Sequence, residues 1–218
     1  MKNEKILSKL TDFRNFLYIT WKHLKLPDPT PIQYDLANYL ANGSQRTIIS
    51  AYRGCGKSWI TSAYVLWRLL LDPQINILVV SASKNRADDF STFCLRLLEE
   101  MPLLYHLQPK ESQRQSKISF DVAPALASHQ PSVKSLGITS QLTGSRSDLV
   151  IADDVETSQN SATMGMRDKL STQVKEFESI IKPLGRIIFL GTPQSEMSLY
   201  TELPKRGYNL RLWPARYP

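Results

Sequence analysis

The stretch IISAYRGCGKSWI, residues 48–60, decides the fold. A β-branched apolar run from Ile48 to Ala51 enters a loop carrying Gly54 and Gly56. Lys57 and Ser58 follow, and then an apolar, helix-forming segment. A strand, a glycine loop, Gly-Lys-Ser and a helix make up a phosphate loop. Small residues there let backbone N–H groups curl round a phosphate at a helix N-terminus. The pattern G-x-x-x-x-G-K-[ST] is met everywhere except its first position, where Ala51 stands. A methyl is tolerated at that strand end as long as φ stays negative. In such a loop Lys57 reaches the β- and γ-phosphates, and the Ser58 hydroxyl binds Mg²⁺.

On either side the chain alternates in period. Apolar residues at helical spacing predict a helix over 5–25, with Ile6, Leu10, Phe13, Leu17 and Trp21 on one face. Thr30 and Pro31 predict the N-cap and first residue of a second helix, closed by Asn42-Gly43. Strands are predicted at 46–51, 75–82, in KISFDV and SVKSLGI, at 148–154 and 186–193, and in NLRLWPA. Helices are predicted to about Leu71, from Asn85 to Met101, and over 162–182. The near-continuous apolar run INILVVSA is of the kind buried on both faces of a parallel sheet. Strands alternating with helices give a three-layer α/β fold, a mainly parallel sheet flanked by helices. With 218 residues, 42% of them hydrophobic, the chain can bury one substantial core and reads as one domain.

The net charge of +7 points to a polyanionic partner. No apolar run reaches the roughly 18–20 residues that a membrane span needs. The N-terminal MKNEKILSKLTDF lacks the apolar centre of a signal peptide. Cys55, Cys94 and three scattered histidines offer neither a disulfide framework nor zinc spacing, so a reduced, intracellular protein is expected.

The second chemical signal is LVIADD, a strand ending in carboxylates. Asp153 at its end would hold Mg²⁺, and a neighbouring carboxylate would orient the attacking water. Asp154 and Glu156 compete for that role. Alternation along an extended segment would put them on one face, and the longer reach of Glu156 favours it.

AYRGCGKS, SVKSLGITSQLTGSRSDLVIADDVE, FLGTPQSEMSLY and WPARYP together resemble the ATPase half of the large terminase subunits of short-tailed phages, also called DNA maturase B. The similarity runs from about residue 27 to the end, and residues 1–26 form a helical segment packed on the ATPase domain. The resemblance implies a phosphate-loop ATPase of the additional-strand class, related to RecA-like and helicase motors, with ATP and Mg²⁺ as cofactors. It implies a ring on the portal of an empty head, driving double-stranded DNA inward with the portal protein and the small terminase subunit as partners, in the host cytoplasm. No membrane is involved. The family's nuclease domain would follow this segment, so no DNA cleavage is expected here.

Residue roles follow the same resemblance. Arg53, inside the loop, acts in cis on the γ-phosphate, and Arg146 resembles the arginine that related motors insert into a neighbour's site, in cis or in trans. Gln33 resembles an adenine-reading glutamine, and Thr192 the coupling residue that relays loss of the γ-phosphate. The loop residues Gly54, Cys55, Gly56, Lys57, Ser58 and Trp59 complete the nucleotide contacts. The rings of Trp59, Tyr64 and Trp67 are read as core, and Cys55 as tolerated bulk. Lys182, Lys205, Arg206, Arg211 and Arg216 form a late basic cluster without an assigned role. The competing readings are a helicase-type ATPase unconnected with packaging, and a DNA-binding module that holds nucleotide without turnover.

Overall fold

The computed structural model describes residues 8–193 and 197–215. Ile6, Arg216 and residues 194–196 of the phage-like block therefore lie outside the described residues. Five parallel strand pairings and one antiparallel one join seven strands in the order β3-β4-β2-β5-β6-β1-β7. These are β1 (Arg46–Ala51), β2 (Ile77–Ser81), β3 (Ser119–Phe120), β4 (Val133–Gly137), β5 (Ser147–Asp153), β6 (Ile181–Gly191) and β7 (Asn209–Trp213). The helices are α1 (Phe13–His23), α2 (Pro31–Asn42), α3 (Lys57–Leu71), α4 (Lys84–Glu100), α5 (Met164–Ile180) and the short α6 (Leu199–Glu202).

The phosphate-loop strand β1 and the carboxylate strand β5 are not neighbours, because β6 lies between them and pairs with both. That inserted strand defines the additional-strand class. It spaces the ends of β1 and β5 by two interstrand steps, about 10 Å. Ser50 is level with Gly191, Asp153 with Leu190, and Ser81 with Asp153. The carboxyl ends of β1, β2, β5 and β6 therefore form one edge, where ligands bind in open α/β sheets. At the sheet's border β7 pairs with β1, Ala51 opposite Trp213, and the Tyr52 N–H donates to the Trp213 carbonyl at 3.2 Å.

Two apolar layers cover the sheet. One holds the α1, α2, α3 and α4 residues together with Ile49, Val79 and Ile151. The other holds the α5 residues with Ile48, Val150 and Phe189. Alternate residues of one strand thus serve opposite layers, as the period of two requires. Phe13 and Trp67 pack with centroids 5.2 Å apart, and the indole N–H of Trp67 donates to the Leu10 carbonyl at 2.7 Å. The first helix therefore shares its core with α3.

Several expectations need correction. The helix predicted over 5–25 is broken at residues 11–12, because Asp12 accepts from the Arg14 N–H and caps a fresh start at Phe13. KISFDV contributes only Ser119–Phe120 to the sheet, as an antiparallel edge pairing. β6 begins five residues before Arg186, running straight on from α5 past a bulge at Leu184 (φ 64°). Tyr64 and Trp67 are core as read, but Trp59 is 42% exposed and meets Phe93 edge to face on the surface. Four members of the late basic cluster have partners. Lys182 pairs with Asp148, Lys205 with Glu202 and Arg211 with Asp35, while Arg206 donates to Ser171.

Candidate active site

The loop begins where β1 ends. Ala51 is buried and keeps a negative φ, so the missing first glycine costs no strain. Gly54 and Gly56 both sit at φ 87°, a conformation that a side chain would strain. A Cβ on Gly56 would also press to 3.2 Å from the Gln33 Nε2. From there α3 starts at Lys57, aiming its first amides into the loop. The Lys57 ammonium spends its three protons on the Ala51 carbonyl (2.8 Å), the Tyr52 carbonyl (3.2 Å) and the Thr192 Oγ1 (3.3 Å). Thr192 in turn donates to the Ala51 carbonyl at 2.9 Å. Lys57 and Thr192, assigned separately from sequence, are thus one hydrogen-bonded unit joining the ends of β1 and β6.

Gln33 serves both ends of its amide. Its Oε1 accepts from the Thr30 N–H at 2.9 Å, closing a capping box, and its Nε2 donates to the Cys55 carbonyl at 3.0 Å. The side chain fastens α2 to the loop. Burial pushes the Cys55 thiol pKa up, so it is held as an inert thiol.

Across β6, Asp153 ends β5 at 8% exposure. Burial, with the adjacent charge of Asp154, pushes its pKa up to about 6, against the opposing pull of a hydrogen bond from Ser58 and the charge of Lys57. Its Oδ1 is buried without a hydrogen-bond partner among the described residues. A hydroxyl and a carboxylate with an unsatisfied oxygen are hard donors suited to Mg²⁺. That ion takes one or two protein oxygens and fills its octahedron with water and phosphate. Ser58 and Asp153 therefore fit the metal that the loop implies.

The two rival carboxylates part company here. Asp154 stands at φ 46°, so the extended alternation expected through 153–156 fails at its first step. Its N–H donates to the Leu190 carbonyl at 2.8 Å, which pins the turn, and its carboxylate has no hydrogen-bond partner among the described residues. Glu156 is 2% exposed. Its Oε2 accepts from the Ser198 hydroxyl at 2.6 Å and the Leu199 N–H at 2.8 Å, fixing the start of α6. Two cavities meet at Asp154. One, of about 380 Å³, is lined by Arg53, Arg86, Glu156, Thr157 and Thr192 among others. The second, of about 460 Å³, lies between α3 and α4 against Ser58, Trp59, Phe93 and Asp153. Arg86 borders both, and the sequence had not singled it out.

Arg146 lies elsewhere. It precedes β5, whose seven residues carry it about 20 Å from Asp153, at the opposite edge of the sheet. There it donates to the Ser145 and Ser179 carbonyls at the C-terminal end of α5, not to Asp148, which pairs with Lys182. That length separates Arg146 from the Asp153 of its own chain.

The fold and this edge define a phosphate-loop domain of RecA-like, additional-strand architecture. In sequence it is a relative of the large terminase subunits. It is 54% identical over its whole length to "Terminase, large subunit" of Enterobacteria phage T3, of which it spans 38%. No protein-family model matches. Among solved structures it is similar in fold to the large terminase of bacteriophage HK97 (TM-score 0.55, 16% identity, 87% of this chain and 40% of that one). It is similar also to the large terminase ATPase domain of Thermus phage P74-26 (TM-score 0.54, 15%, 89% and 84%). S. cerevisiae Dbp5 bound to Gle1 and IP6 shares the fold too (TM-score 0.58, 12%, 90% and 49%).

Proposed function

We propose that this chain is the ATP-hydrolysing part of a viral DNA-packaging motor, and that it couples turnover to translocation of double-stranded DNA into a procapsid. The observation that carries the reading is the convergence of Lys57, Ser58 and Asp153 at one sheet edge, with the Asp153 Oδ1 buried and without a hydrogen-bond partner among the described residues. The 54% identity to a large terminase subunit supports the packaging context.

In this reading the amides from Gly54 to Ser58 cradle the β-phosphate, and Lys57 exchanges its loop carbonyls for β- and γ-oxygens. Ser58 and Asp153 would hold Mg²⁺, which would supply positive charge against the charge that develops on the phosphates. Asp154 orients the attacking water and takes its proton as the γ-phosphorus–oxygen bond to ADP breaks. Glu156, its Oε2 engaged at α6, keeps that loop in place. Arg53 meets the γ-phosphoryl group from within the chain, and Gln33 positions the loop beside the base. Thr192, bonded to Lys57, registers loss of the γ-phosphate at the end of β6. Arg146 completes a neighbouring subunit's site, which requires a ring. The portal, the small terminase subunit and the host cytoplasm follow from the same context.

The test is steady-state phosphate release from Mg-ATP by this chain, with and without linear duplex DNA, alongside Lys57→Ala and Asp153→Ala. Turnover that rises with DNA and vanishes in both variants supports the motor. Nucleotide binding without any phosphate release in the unaltered chain would leave a binding module instead.

A further inference from the structure

Arg86 is the third residue of α4, which Ser83 caps two residues past the end of β2, where Ser81 is level with Asp153. The other described arginines outside the phosphate loop all have partners. Arg14, Arg46, Arg96, Arg114 and Arg211 pair with carboxylates, and the rest donate to carbonyls or hydroxyls. Arg86 alone makes no side-chain hydrogen bond or ion pair with a described residue. Its neighbours do not lack acids: Lys84, two residues away, takes Asp88 at 2.7 Å. Arg86 instead lines both cavities, and the one other residue that lines both is Asp154.

A guanidinium left unpaired beside two carboxylates, in a chamber that also holds Arg53, Thr157 and Thr192, is matched to an oxyanion brought in by the substrate. Arg86 is exposed, but its place with Asp154 on the walls of both cavities favours a nucleotide oxyanion over the DNA backbone as that anion. We propose that Arg86 binds the terminal phosphoryl group of the nucleotide in cis, as a second arginine of the site beside Arg53. The β2–α4 junction thereby reports whether the γ-phosphate is present. This rests on the ATPase reading above and adds to it a residue that discriminates triphosphate from diphosphate.

The experiment titrates this chain, Arg86→Ala, Arg86→Gln and Arg86→Lys with ADP and with ADP plus beryllium fluoride in Mg²⁺, and records the melting temperature of each. ADP affinity should stay within about twofold, since Arg86 lies beyond the β-phosphate. The preference for the beryllium fluoride complex should fall about 10- to 100-fold in the alanine and glutamine variants, the worth of a charged hydrogen bond. Lysine should restore part of it. Melting temperatures should not move, because there is no intramolecular partner to lose. An undiminished preference in Arg86→Ala overturns the proposal, and so does an undiminished preference accompanied by weakened duplex DNA binding. An unaltered chain that binds neither nucleotide sinks this proposal and the ATPase reading together. A normal parent with an indifferent variant sinks this one alone.

Discussion

Exchanging the two rival carboxylates separates chemistry from architecture. Glu156 is buried and holds the Ser198 hydroxyl and the Leu199 amide at 2.6 and 2.8 Å. Glu156→Ala leaves both donors buried and unsatisfied, at about 1–3 kcal/mol each, so a loss of roughly 3–5 kcal/mol is expected. At about 2–4 °C per kcal/mol for a chain of this size, melting should fall by about 6–20 °C. Glu156→Gln keeps one acceptor oxygen and loses only the charge assistance, so about 1–2 kcal/mol should go, with turnover retained below the new melting point. Asp154→Asn should do the reverse. Asparagine tolerates the left-handed backbone at φ 46°, and no side-chain hydrogen bond is lost, so stability should stay within about 0.5 kcal/mol. Turnover should drop by about 10²–10⁴, the usual contribution of a positioned base. The assay is phosphate release at saturating Mg-ATP, paired with thermal unfolding of the same preparations. Loss of turnover in Glu156→Gln at unchanged melting temperature, with Asp154→Asn still active, would refute the assignment.

Other outcomes follow from the same coordinates. With divalent metal chelated, Asp153 should make stability fall as pH rises from about 4 to about 6, because the folded chain keeps a proton that the unfolded chain has released. The change is about 3 kcal/mol, read as the difference between the parent and Asp153→Asn in urea titrations at the two ends of that window. Added Mg²⁺ should remove most of the difference. Gly191→Ala would place a methyl 2.1 Å from the Tyr200 ring and should destabilise by about 2–3 kcal/mol in chemical unfolding. Because Arg146 sits about 20 Å from its own Asp153, specific activity should rise with protein concentration, and mixing Arg146→Ala with Lys57→Ala should restore turnover that neither has alone. Flat activity across concentration would remove Arg146 from the site.

The strands and the two phosphate-binding signatures were legible because each is a local pattern. Gly54, Gly56, Lys57 and Ser58 lie within five residues of one another, and LVIADD announces a buried strand ending in acid. What stayed hidden depends on contacts between distant segments. The alternation argument for Glu156 assumed extended backbone, and the bond from the Asp154 N–H to Leu190, a residue of another strand, turns the chain instead. Arg146 reads like a finger beside the metal strand, yet strand length places it at the wrong end. Arg86 carries no motif at all. It matters because β2 and β5 are level at Ser81 and Asp153, a register that the sequence does not print. Trp59 was read as core, but α3 turns that position outward, toward Phe93.

The pairing of β7 with β1 has a mechanical meaning. Trp213 is level with Ala51, and its carbonyl holds the first amide of the phosphate loop. Arg211 clamps the same strand to Asp35 on α2, whose Gln33 grips the loop from its other side. A tug on the chain beyond Trp213 would therefore be felt at Tyr52 through a single bond, without crossing the hydrophobic layers. Tension there and nucleotide occupancy pull on the same few atoms.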